Sequence, residues 1–184
     1  MLYETELPAP VRLVTGDVFR PPFAPGTFDL VYSAGLFHEL DVREKPAVDA
    51  LAALASVVRP GGRISTSDFV YSTPAVHLED EDLQRELARE AYGAELYGIG
   101  PLERLVTLHE ALLSEVCWRI SPPSPIRHLD KIVLAEEEPE ELRALSPVAR
   151  RRFRERREAL RERVRREGYT CPANLYVEGL MDDG

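Results

Sequence analysis

Cysteine is scarce in this 184-residue chain. Cys117 and Cys171 lie far apart, and neither belongs to a C-x-x-C pair. That spacing points to no zinc site and no dithiol redox motif, so no metal is expected, and two isolated thiols suit a reducing compartment. Long apolar runs are missing too. No stretch approaches the ~20 residues that span a bilayer, and no charged-then-apolar leader opens the chain. A soluble, cytoplasmic protein without a membrane partner is expected. Basic excess is also lacking: the formal net charge is −9, which argues against nucleic-acid binding by the whole surface. No internal repeat is present. What remains is an ordinary globular composition, 44% hydrophobic and 30% charged, long enough for one domain with a real core.

The stretch from Val11 to Phe69 organises the rest. Asp29-Leu30-Val31-Tyr32-Ser33 is a short apolar run, as a strand buried on both faces would be. Ala34-Gly35 ends it, and Leu36 to Leu40 has room for a single helical turn. From Glu44 to Val58, the residues Ala47, Leu51, Leu54, Ala55 and Val58 form one helical stripe. Arg59-Pro60-Gly61-Gly62 suits a left-handed helix exit, and Arg63 to Phe69 reads as a second strand. Strand, helix, strand at this spacing predicts a parallel crossover. Val11 to Thr15 predicts an earlier strand, entered through a polar, proline-bearing lead-in over Met1 to Pro10.

These residues also resemble a known family. Val14-Thr15-Gly16-Asp17, Pro22-Phe23, Thr27-Phe28-Asp29-Leu30-Val31, Leu36-Phe37-His38-Glu39-Leu40 and Val58-Arg59-Pro60-Gly61-Gly62 follow one another as in class I S-adenosylmethionine-dependent methyltransferases. The chain is similar to the UbiE/type 11 methyltransferase-like domain. The resemblance implies an α/β fold, a partial Rossmann-like sheet, mostly parallel, with flanking helices. It implies S-adenosylmethionine as cofactor and methyl transfer to an unknown acceptor. It also implies a first half that this sequence does not show, namely a strand, a glycine-rich turn and an acid that holds the ribose. Gly98-Ile99-Gly100 follows a helical pattern rather than a strand and does not qualify as that turn. Weak cofactor binding by this chain alone is therefore expected, with the missing half supplied elsewhere or by a partner chain.

By the same resemblance Asp17 would accept a hydrogen bond from the adenine amino group, with Val18 near the ring. The plain alternative is a turn aspartate. Ser33, Ala34 and Gly35 leave their strand at the edge where a cofactor approaches an open α/β sheet, or simply reverse the chain. His38 is the candidate catalytic base, set against a packing role. His77, His109 and His128 read as structural or surface residues.

Further on, Ser72-Thr73-Pro74 announces a helix with Leu83, Leu87, Ala91 and Ala94 on its buried stripe, a lid by the resemblance. Another helix is expected over Leu102 to Ser114, then strands at Val116 to Ile120 and Lys131 to Ala135 that close the sheet as an antiparallel edge pair. Glu136, Glu137, Glu138, Glu140 and Glu141 form an acidic cluster. Ser146-Pro147 reads as a helix cap and first turn. Arg150 to Glu167 holds ten arginines and four glutamates around a narrow seam of Phe153, Leu160 and Val164. That predicts a helix docked along an edge, followed by a tail with a short strand at Asn174 to Val177. The expected division is 1–137, a methyltransferase-like domain lacking its first half, and 138–184, the arginine-rich helix and tail. Three functions stay open: a methyltransferase needing its other half, a non-catalytic subunit or interaction module, and an anion or nucleic-acid binder working through the arginine helix. A homo-oligomer is a further expectation.

Overall fold

The computed structural model describes residues 12–43, 46–71, 75–126 and 138–182. Strand β1, Phe28–Ala34, leads through a 3-10 turn at Phe37–Glu39 to helix α1, Ala47–Ser56. Strand β2, Val58–Phe69, returns parallel to β1, so the predicted crossover is present. Helix α1 buries Ala47, Ala50, Leu51 and Ala55, the near-alanine stripe that lets a helix lie close to a sheet. Residues 59–62 do not terminate a helix before a strand. They loop out within β2, between the pairs Phe28↔Val58 and Leu30↔Arg63. Gly61 has φ 66°, and a Cβ at Gly62 would come within 2.9 Å of the Arg59 carbonyl, so this bulge requires both glycines.

Helices α2, Ala75–Tyr92, and α3, Leu102–Glu110, follow, then β3, Ser114–Ser121, and the short β4, Ser124–Pro125. A second 3-10 turn, Glu140–Ala144, precedes α4, Pro147–Glu167. The Ser146 hydroxyl caps α4 by accepting from the Ala149 N–H at 3.2 Å, and Gly168 at φ 79° ends it. The short β5, Thr170–Cys171, pairs with β4, and β6, Asn174–Leu180, completes the main sheet.

The main sheet has the order β1-β2-β6-β3, with β6 antiparallel to both neighbours. The sheet is therefore mixed, and β1–β2 is its parallel pair. The short strand expected at Asn174 to Val177 is present, runs on to Leu180 and is central rather than part of a tail, with Leu175, Val177 and Gly179 alternating inward. The strand expected at 131–135 lies outside the described residues, as does the helix approach at 72–74. The strand expected at 11–15 is corrected: residues 12–15 form none, and Leu13 is 97% exposed. A strand needs a neighbour to take its backbone hydrogen bonds, and no strand of the described chain pairs with it. Among the described strands β1 is accordingly outermost, with Leu30 and Tyr32 exposed.

Two apolar clusters hold the molecule. The first joins the sheet to α1 and α3 through Phe37, Leu51, Ile64, Leu105, Leu175 and Val177. The second lies among α2, the second 3-10 turn and α4, and contains Leu83, Leu87, Leu142, Phe153, Leu160 and Val164. The seam predicted on α4 is thus the centre of a helical cap. Around it run ion pairs from Arg152 to Glu86 and Glu90, from Arg156 to Glu86, and from Arg163 to Glu79.

Candidate functional site

The C-terminal ends of parallel strands in an open α/β sheet are where ligands usually enter. Here β1 and β2 end side by side, Ala34 opposite Ser67. Gly35 turns out of β1 at φ 61° and donates its N–H to the Ser67 carbonyl at 2.9 Å. Asp68, next along β2, has a fully buried side chain. Its carboxylate accepts from the Phe37 N–H at 2.7 Å, from His38 Nδ1 at 2.7 Å and from the Phe69 N–H at 2.8 Å. In sequence Asp68 is one more residue of the 63–69 strand. Its signal was being the lone charged residue of the 64–71 run, at the strand's C-terminal end.

His38 is held at both nitrogens, with Nε2 3.2 Å from Glu39 Oε1. Burial works against a charged ring here, but the hydrogen bonds and charges of Asp68 and Glu39 outweigh it and push the imidazole up to about 10. The bond from His38 in turn holds the Glu39 carboxyl below its usual range. An imidazolium with both N–H groups committed has no lone pair to offer as a base. In this arrangement His38 acts as a clamp that ties the 3-10 turn to the end of β2.

The other sequence-predicted residues are placed as follows. Asp17 is exposed in a turn, its Oδ1 accepting from the Phe19 N–H at 3.0 Å and its carbonyl from the Arg20 N–H at 2.9 Å. Val18 packs half-buried against the first cluster. Ser33 points inward and donates to Thr66 Oγ1 at 3.2 Å. Thr66 in turn meets His109 Nε2 at 2.8 Å, and His109 Nδ1 reaches the Leu105 carbonyl at 2.7 Å. Burial holds His109 below the usual imidazole range, so Ser33 and His109 belong to a satisfied polar thread through the core. Ser33, Ala34, Gly35 and His38 therefore share one edge, where Ala34 and Gly35 present small groups.

The cap reaches this edge through aromatic rings. Phe69 lies 5.4 Å from His38 and 5.8 Å from His77 of α2. The chain after α2 adds backbone ties, Tyr97 N–H to the Leu40 carbonyl at 2.6 Å and Gly98 N–H to the His38 carbonyl at 2.8 Å. Arg104 stacks over Tyr97 at 3.4 Å. Among the described residues no group of His, Cys, Asp and Glu has a metal-holding arrangement, and no helix is long and apolar enough to cross a membrane.

The family model of the methyltransferase domain matches residues 2–66. A demethylmenaquinone methyltransferase of Beutenbergia cavernae is 43% identical over 65 residues, 35% of this chain and 24% of that protein. The match thus spans about a quarter of that relative's length. Among solved structures, the YcgJ protein of Bacillus subtilis aligns at TM-score 0.50 and 15% identity over 92% of this chain and 70% of its own. A protein of Bacillus halodurans assigned as a methyltransferase aligns at 0.50 and 12% over 94% and 78%. The chain thus resembles methyltransferases in sequence over residues 2–66, and is similar in fold to these two solved structures over most of its length.

Proposed function

We propose that this chain is the acceptor-side portion of a cytoplasmic S-adenosylmethionine-dependent methyltransferase, acting on an acceptor still to be identified. The cofactor's ribose and methionyl end would be held by further polypeptide, upstream or on a partner chain. The observation that carries this reading is the edge built by Gly35, His38 and Asp68 under the α2–α4 cap, in a chain whose residues 2–66 match the methyltransferase domain. Asp17, exposed in its turn beside the half-buried Val18, suits the adenine end. Ala34 and Gly35 suit close approach of a ligand to backbone. Among the described residues no glycine-rich turn follows a strand toward this edge, so the fit covers one end of the cofactor. When bound, that cofactor supplies an electrophilic methyl group. The chain's own part is to shape the edge, exclude water with the cap and orient the acceptor. In this reading His38 positions the turn above Asp68.

A non-catalytic subunit remains the second reading, favoured by the saturation of His38. The anion-binding reading loses support from the arginines of α4, several of which already face carboxylates of α2.

Calorimetric titration with S-adenosylhomocysteine tests the proposal. Losing two or three charge-assisted hydrogen bonds, at about 1.5–3 kcal/mol each, lowers affinity about a thousandfold or more. Binding by the 184-residue chain near millimolar, weakened further by Asp17→Ala, is expected. Micromolar binding would show that the site is complete here, and no binding at all would favour the non-catalytic reading.

A further inference from the structure

Among the described histidines, His38 and His109 have both ring nitrogens partnered, and His77 does not. His77 is 9% exposed, and its Nε2 is buried with no hydrogen-bond partner. Its other nitrogen is fixed. Tyr169 donates its one hydroxyl proton to Asp80 Oδ2 at 2.9 Å, and a carboxylate can only accept. The same hydroxyl lies 2.6 Å from His77 Nδ1 and must therefore accept from it. His77 is thus the Nδ1–H tautomer, and Nε2 carries a bare lone pair. A second proton would create a buried N–H without an acceptor, in a ring that lies 5.8 Å from Phe69.

We propose that α2 is a proton-released cap: the docked helix accepts His77 only as the neutral Nδ1–H tautomer, and protonation at Nε2 undocks α2 and opens the His38–Asp68 edge. The inference concerns access to that edge and stands whether or not the chain transfers methyl groups. His77 anchors the first turn of α2, next to the residues that join the helix to β2, so losing its contact frees the end of the cap nearest the site.

The groups around His77 pull in different directions. On α2 itself, Asp80 favours the protonated ring and His38, on the 3-10 turn, opposes it, while burial is the largest influence and holds the ring below its ordinary range. Glu81 on α2 and Cys171 on β5 act on the Tyr169 hydroxyl, which burial holds protonated. Arg157 of α4 faces Asp80, and Glu39 lies toward Glu81. A histidine whose docked value is depressed stabilises docking above about pH 6.5, its ordinary value, and that stabilisation is lost as pH falls below it. Glu81 is held above the carboxylate range by burial and has the opposite sign, strengthening docking in more acidic solution. Release therefore sets in as pH falls below about 6.5, and Glu81 opposes it in more acidic solution.

Hydrogen–deuterium exchange on the full chain, corrected for intrinsic rates, reads this directly. Between pH 7.5 and 5.5, one proton taken up below about pH 6.5 raises opening of α2 by up to about tenfold. Peptides of β2 and β6 should not change. His77→Gln, which does not titrate, should flatten the response. Should that variant fail to fold, nitrogen NMR of the wild-type ring decides instead, with a neutral Nδ1–H tautomer titrating below 6.5 expected. Exchange in α2 that ignores pH, an unchanged response in His77→Gln, or a ring titrating at or above 6.5 would each overturn the proposal.

Discussion

The carboxylate of Asp68 and the imidazole of His38 meet at 2.7 Å across thirty residues of sequence, closing the turn after β1 onto the end of β2. Asp68 answers three donors there, and its side chain is wholly out of water. Asp68→Asn replaces an acceptor-only group with one that presents an amide N–H, and leaves a buried imidazolium half-paired. A loss of about 3–5 kcal/mol is expected, the usual result of removing one partner of a buried ion pair. Denaturant unfolding of the variant measures it, and a loss below 1 kcal/mol would show the pair to be dispensable.

The same pair makes a pH signature of opposite sign to that of His77. His38 titrates near 10 when folded, against about 6.5 when unfolded. Its stabilisation is full below the lower value and is lost as pH rises through the upper one. The stability difference between wild type and His38→Gln should shrink between pH 7 and 10, on the order of 1 kcal/mol per unit. A difference that stays constant over that range would mean that the ring is neutral.

In the cap, packing should outweigh charge. Phe153 is 4% exposed at the centre of the second cluster, and Phe153→Ala is expected to cost about 3–5 kcal/mol. Arg156 and Glu86 form one of the exposed pairs of the α2–α4 seam, and Arg156→Ala should cost less than about 1 kcal/mol. Thermal unfolding of the two variants ranks them, and the reverse order would make the arginines the main support of the cap.

A chain ending near Glu141 should not keep its sheet. That truncation removes β6, which stands between β2 and β3 and pairs with both. Loss of strand signal in circular dichroism is the expected outcome, and a folded truncation would mean that β3 can close on β2 directly.

The edge of β1, outermost among the described strands, should promote association. Leu30 and Tyr32 are exposed on it, beside a groove of about 210 Å³ lined by Phe23, Phe28 and Leu54. Unprotected edges of this kind recruit other strands. Leu30→Lys should lower the average mass in light scattering at high concentration, and an unchanged mass would show the edge to be inert.

Local signals carried a good part of this fold. The stripe of α1, the apolar run of β1, the cap of α4 at Ser146 and its stop at Gly168 depend on near neighbours, whose spacing alone specifies which face is apolar. The parallel crossover followed from element order and length. The strand expected at 11–15 had the right residues, but its described part, 12–15, has no partner among the described strands, and side-chain pattern cannot say whether a hydrogen-bonding neighbour exists. β6 was legible as a short strand at Asn174 to Val177, but its extension to Leu180 and its central place depend on both flanking strands.

The candidate site divides along the same line. The sequence determined the small-residue exit at Ala34-Gly35, the imidazole at His38 and the resemblance to a methyltransferase domain over residues 2–66. Tertiary structure decided what those groups can do, because the state of an imidazole is set by partners distant in the chain. Asp68 arrives from β2 and charges His38, while burial holds His77 neutral and Tyr169, from beyond α4, fixes which nitrogen carries the proton. Two histidines 39 residues apart, indistinguishable as letters, thereby take opposite protonation states on either side of Phe69. Burial and hydrogen bonding, both properties of the folded chain, make that difference.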